Sequence, residues 1–119
     1  MNTRHVIVVD DNDTNRFLPG LFLRPRGYTV HECDSASQAL SMLQNTTCDV
    51  LLLDISMPTV SGLQLCQHLR ADARFAQMTI IAYTAHAMPE EIQQLHDAGF
   101  NKVLLKPIRS HELIAALHN

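Results

Sequence analysis

Four short apolar runs, each closed by a polar residue, constrain this chain more than any other feature. Val6-Ile7-Val8-Val9 ends at Asp10, Val50-Leu51-Leu52-Leu53 at Asp54, Met78-Thr79-Ile80-Ile81-Ala82-Tyr83 at Thr84, and Val103-Leu104-Leu105 at Lys106. Runs that are continuous rather than alternating suit strands covered on both faces, as in a parallel sheet. Tyr28-Thr29-Val30 is a shorter fifth candidate. Between the runs the spacing turns helical: Ala36, Ala39, Leu40 and Leu43 share one helix face. Ser35 with Gln38, and Ser61 with Gln64, read as capping-box pairs. Pro89 suits a first helical position with Gly99 as the stop, and Ser110 suits the cap of a last helix carrying Leu113, Ile114 and Leu117. The poorest helix lies between residues 13 and 27, where Pro19, too deep for a first-turn proline, is expected to kink it. Five β–α units predict an α/β fold: an open, doubly wound, five-stranded parallel sheet with helices on both faces.

A length of 119 residues suits one domain, residues 1–119, large enough to bury a core without staples. The three cysteines, Cys33, Cys48 and Cys66, are odd in number and far apart, so they read as small core residues in a reducing cytosol. No apolar run reaches the ~18 residues of a membrane span, and the N-terminal run is too short for a signal peptide, so a cytoplasmic, membrane-free protein is expected. A net charge of −3 argues against direct binding of nucleic acid or anionic lipid.

In open parallel sheets ligands bind beyond the carboxyl ends of the strands. That edge would receive Asp10 and Asp11 from the first strand, Asp54 from the third, Thr84 from the fourth and Lys106 from the fifth. Three carboxylates in one crevice repel one another unless a cation lies among them, and Mg²⁺ is the hard, oxygen-seeking candidate. A lysine and a hydroxyl would complete a site for phosphoryl oxygens. No glycine-rich phosphate loop is present, so a carboxylate acting as nucleophile, forming an aspartyl phosphate, is a better expectation than nucleotide binding. Asp10, Asp11, Asp13, Asp54 and Lys106 together carry as much net negative charge as the entire chain. The acidic bias is thus matched by one strand-end cluster.

The motifs Val9-Asp10-Asp11-Asn12, Leu53-Asp54-Ile55-Ser56-Met57-Pro58 with Gly62, Thr84-Ala85, Gly99 and Lys106-Pro107 occur in order along nearly the whole chain. In this the chain resembles the receiver domains of two-component response regulators. Tyr83-Thr84-Ala85-His86-Ala87-Met88-Pro89 and Asn15-Arg16 lean toward receivers of hybrid sensor histidine kinases. The resemblance implies a flavodoxin-like (βα)5 fold and a phosphorelay switch in which Asp54 takes a phosphoryl group from phosphohistidine. Asp11 and Asp54 would ligate Mg²⁺, with Asp10 assisting through water and Ser56 giving its backbone carbonyl. Lys106 would neutralise the phosphoryl group and Thr84 would hydrogen-bond it, with Lys106-Pro107 a cis peptide aiming the lysine inward. The implied partners are a sensor histidine kinase or a histidine phosphotransfer protein, with the last two helices and last strand as a homodimer surface. Such a domain catalyses only its own phosphorylation and dephosphorylation. Val103 stands where receivers commonly carry an aromatic residue that turns inward when the threonine shifts, so one half of the usual switch is missing.

Each residue also has an ordinary reading. Asp10-Asp11 can be a solvated turn in which Asp11 or Asp13 caps the following helix. Asp54 can be a strand end, Thr84 a loop threonine and Lys106 a surface cation. What outweighs these is coincidence, because each strand would have to place a bland residue where the site needs a specific one. A small Mg²⁺-dependent phosphatase would need a second acid at position 56, where Ser56 stands, and a vestigial interaction module would not need the full set. His111-Glu112 lacks the second histidine of a zinc-protease helix, since position 115 is alanine. Asp11, Asp13 and Asn15 resemble the start of a calcium loop, but Arg16 and Phe22 occupy its glycine and final acid. His86, two residues past Thr84, is a candidate modulator of phosphoryl lifetime.

Overall fold

The computed structural model describes residues 4–57, 59–85 and 88–118. Strands and helices alternate throughout: β1 (His5–Val9), α1 (Asp13–Leu23), β2 (Thr29–Cys33), α2 (Ala36–Asn45), β3 (Val50–Asp54), α3 (Gly62–Arg70), β4 (Thr79–Thr84), α4 (Pro89–Ala98), β5 (Lys102–Leu105) and α5 (Ser110–His118). All five strands pair in parallel in one sheet, in the order β2-β1-β3-β4-β5. This is the doubly wound α/β arrangement expected from the alternation. Among the described residues, no helix is long and apolar enough to cross a membrane.

Strand parity divides the core into two layers. Ile7, Val9, Leu51, Leu53, Ile80 and Ala82 face α2, α3 and α4. Val6, Val8, Leu52, Ile81 and Tyr83 face the layer formed by Leu23 of α1 and Leu113 and Leu117 of α5. Every residue of the central strand β3 is buried, as a two-sided cover requires. The run at 103–105 misleads in this respect. It forms an edge strand whose residues are only partly covered, with Leu105 half exposed. Cys33 and Cys66 are buried and Cys48 is partly buried, all as free thiols. Burial pushes them up to about 11, 11 and 12, so they act as packing groups.

α1 forms as expected, and three other local expectations need revision. α1 contains Pro19, which is itself buried with Gly20 and Leu23. Packing of that face offsets the lost backbone bond. The chain stops at the short 3-10 turn Arg24–Arg26, closed by Gly27 at φ 90°. The cap of α1 is Asn12, whose side chain accepts from the Asn15 amide at 2.9 Å, rather than Asp11 or Asp13. Ser110 is the first residue of α5 and not the one before it. The Ser61–Gln64 box is fully reciprocal, whereas Gln38 accepts from Asp34 and leaves only the Ser35 arm of its box.

Arg70, at the end of α3, ties the far side of the sheet together. Its guanidinium donates to the Gly99, Phe75 and Ala76 carbonyls and to Asn101 Oδ1, at 2.8–3.2 Å. Asn101 Oδ1 in turn accepts from the Ile80 amide at 2.7 Å. Arg70→Ala removes a charged donor shared by two loops, and a loss of about 2 kcal/mol is expected in urea denaturation.

Candidate functional site

The site is built by the same parity that divides the core. Asp54 and Tyr83 are register partners across β3 and β4, and Tyr83 lies in the layer that contains α5. Asp10 follows β1 directly, and its amide donates to the Cys33 carbonyl at 3.1 Å. Asp10 and Asp54 are both buried, at 0% and 3% exposure, while Asp11 is exposed one residue on. Oxygens of all three carboxylates come within 4.8 Å of one another. Asn12, by taking the capping role, leaves the Asp11 carboxylate out of the helix start. Its own amide donates to Asp10 Oδ1 at 2.9 Å.

Lys106 reaches this cluster from the end of β5. Its amide donates to the Thr84 carbonyl at 2.7 Å, and the Lys106–Pro107 peptide is cis. The ammonium lies 3.0 Å from Asp10 Oδ2 and 3.2 Å from Asp54 Oδ1. Asp54 Oδ1 also accepts from the Ser56 amide at 3.2 Å. Burial first, and then the negative charge of Asp10, raises the Asp54 carboxyl to about 6, while Lys106 and the Ser56 amide pull it down. Burial therefore outweighs the lysine here, which is the condition under which a further cation gains most.

Thr84 ends β4 and is buried beside a cavity of about 160 Å³ that also borders Ser56, Leu63 and Glu91. The structure thus gathers Asp10, Asp11, Asp54 and Lys106 directly, with Ser56 and Thr84 on the rim. Pro58, His86 and Ala87 lie outside the described residues, so the expectation for His86 is not addressed. Val103 lines an open groove of about 590 Å³ with Ile92, Leu105 and Ala115. Two contributors were not anticipated from the sequence. Arg16 donates to the Asp10 carbonyl at 3.0 Å and pairs with Asp13 and Glu32. The Tyr83 ring lies under the Lys106 ammonium, 4.8 Å from centroid to nitrogen. An aromatic residue in a buried strand reads as core, so only its parity with Asp54 could have signalled the second contact.

Comparison with known proteins agrees with this geometry. The family model described as the response regulator receiver domain matches residues 6–118. The signal transduction histidine-protein kinase BarA of Escherichia coli is 36% identical over 108 residues, which is 91% of this chain but 12% of BarA. The chemotaxis protein CheY of Pseudomonas aeruginosa is 33% identical, covering 91% of this chain and 88% of that protein. Among solved structures, Vibrio cholerae chemotaxis protein CheY4 superposes with a TM-score of 0.92 at 26% identity, covering 98% of both chains. A putative response regulator from Chloroflexus aurantiacus gives 0.93 at 29% identity, with 99% and 97% covered. The family match runs from the second residue of β1 to the last of α5 and takes in every strand end that meets at the acidic cluster; the chain belongs to the response regulator receiver domain family.

Proposed function

We propose that this receiver is a phosphorylation switch in which Asp54 accepts a phosphoryl group from phosphohistidine on a sensor histidine kinase or a histidine phosphotransfer protein. The observation that carries the proposal is the Lys106 ammonium held between Asp10 and Asp54, beside a third carboxylate, at the carboxyl edge of the sheet. A nucleophilic carboxylate, a metal-binding pair and a cation for the transferred group thereby occupy one crevice.

The donor set fits Mg²⁺, since three carboxylate oxygens can converge on one point and a hard cation takes oxygen ligands. Asp11 and Asp54 would hold it, with Asp10 acting through water and the Ser56 carbonyl completing the set. Bound there, Mg²⁺ supplies positive charge to the transferring phosphoryl oxygens. The contacts on Asp54 among the described residues both fall on Oδ1, which leaves the other oxygen to attack phosphorus in line. As the P–O bond to Asp54 forms, the P–N bond to histidine breaks and the imidazole departs with the electron pair. Lys106 then exchanges one carboxylate contact for a phosphoryl oxygen, and Thr84 donates its hydroxyl to another. Catalysis of this kind is positioning and electrostatics, with no group-transfer chemistry beyond the single acceptor. The domain acts on itself and passes the change to a partner, its output surface including the groove beside Val103.

Incubation with acetyl phosphate and Mg²⁺ is expected to add one phosphoryl mass per chain, lost with Asp54→Ala and with excess chelator. Intact-mass spectrometry reads this directly. Absence of any gain in the wild type would leave an interaction module with an inactive site. Continuing release of phosphate from a small ester, well beyond one equivalent, would instead indicate a phosphatase.

A further inference from the structure

We propose that Tyr83 is a positioning residue for Lys106: its ring face supports the ammonium from below, so that the cation is held at the phosphoryl site before any phosphoryl group arrives. The inference rests on the phosphoacceptor reading and adds a residue to it.

Three features carry it. The Lys106 nitrogen is 4.8 Å from the Tyr83 ring centroid, within range of a cation–π contact. The same nitrogen meets Asp10 on one side and Asp54 on another, so ring and carboxylates together confine a long, flexible side chain that is only 14% exposed. Tyr83 is itself fully buried and is the register partner of Asp54, so the ring is fixed relative to the acceptor by the sheet. The hydroxyl is not what places the residue there. It is buried and faces the Ile108 backbone without reaching regular hydrogen-bond geometry. The ring, not the phenol, is therefore the working part. Thr84 follows directly in the chain, so the lysine's support and the switch threonine move with one strand end.

Lysine is present only at positions 102 and 106, which makes the contact easy to observe. In proton NMR the Lys106 ε-methylene signals are expected upfield of those of Lys102, shifted by the ring. Tyr83→Phe keeps that shift, and Tyr83→Leu abolishes it. With acetyl phosphate and Mg²⁺, Tyr83→Leu is expected to slow phosphoryl uptake about fivefold, the rate equivalent of ~1 kcal/mol of lost cation–π contact. Tyr83→Phe recovers the rate. In a Lys106→Met background the Tyr83→Leu change has no further effect, because the group it positions is gone. If Tyr83→Leu does not fold, Tyr83→Met, equally without a ring, carries the comparison. A normal Lys106 shift in the wild type, an unchanged rate in the ring-free variant, or an equal loss with and without Lys106 would each overturn the inference. A wild type that takes up no phosphoryl group refutes the phosphoacceptor reading instead, while the NMR comparison still decides the ring contact.

Discussion

Replacing Asp54 with asparagine is expected to stabilise the metal-free protein at neutral pH while abolishing phosphoryl uptake. The carboxyl is 3% exposed, and burial together with Asp10 raises it from 3.8 to about 6. The native state therefore holds a proton on Asp54 at pH values where the unfolded chain has released it. Stability owed to this group is full below about pH 4, declines as pH rises, and is lost above about pH 6. At neutral pH the ionised side chain imposes its whole cost, on the order of 1–3 kcal/mol given that Lys106 and Asp10 share the charge. Asparagine removes the charge yet retains an oxygen that can accept from the Ser56 amide and from Lys106. Urea denaturation in chelator should show the variant pulling ahead of the wild type between about pH 4 and pH 6, with a constant gap above. Groups such as Asp72, held down at about 2 by Arg74, contribute equally to both proteins and cancel. Adding Mg²⁺ should narrow the gap, because a cation bound only to the native wild type stabilises it by mass action. A variant less stable than the wild type in chelator at neutral pH would mean that the lysine contacts outweigh burial.

Strand geometry explains why so much of the site could be read from the sequence. A polar residue after a buried parallel strand has little freedom in where it goes, because strand register and the carboxyl edge of the sheet fix its position to within a residue. Asp10, Asp54, Thr84 and Lys106 were legible for that reason. Asn12 was not, since Asp11, Asn12 and Asp13 are all competent caps. The choice among them depends on Asp10 engaging the Asn12 amide, which is a contact in space. β5 was misjudged as a fully covered strand because a continuous apolar run does not reveal whether its strand sits at the sheet edge. Sheet order decides that, and here it leaves Leu105 half exposed beside the Val103 groove. Tyr83 combines both difficulties, being a core side chain by pattern and a lysine support by geometry.

Gly62→Ala is expected to cost about 3 kcal/mol or more and to displace Asp54, the proposed acceptor, although alanine is ordinarily the better helix former. Gly62 opens α3 close against the end of β3, and its amide donates to the Ile55 carbonyl at 3.1 Å. A Cβ at this position would lie 2.2 Å from the Asp54 carbonyl oxygen and 2.9 Å from both the Asp54 carbonyl carbon and Ile55 Cα. All three are backbone atoms, so no side chain can rotate away, and either α3 or the end of β3 must move. The gain in helix propensity is at most about 1 kcal/mol and smaller still at a first helical position. Overpacking against rigid backbone costs more than that. Gly20→Ala provides the contrast. Its Cβ would meet the Arg24 guanidinium at 2.5 Å, the far end of a side chain that can swing aside, and the residue sits inside α1. That substitution is expected to fall within about 1 kcal/mol of the wild type. Denaturation midpoints for the two variants, together with initial rates of phosphoryl uptake, separate the explanations. If Gly62→Ala lowers both stability and rate while Gly20→Ala leaves both near wild type, the glycine is required by the close approach of α3 to the Asp54 backbone. Equal, small effects at the two positions would show that the β3–α3 junction can relax around a methyl group and that Asp54 is less rigidly placed than the packing implies.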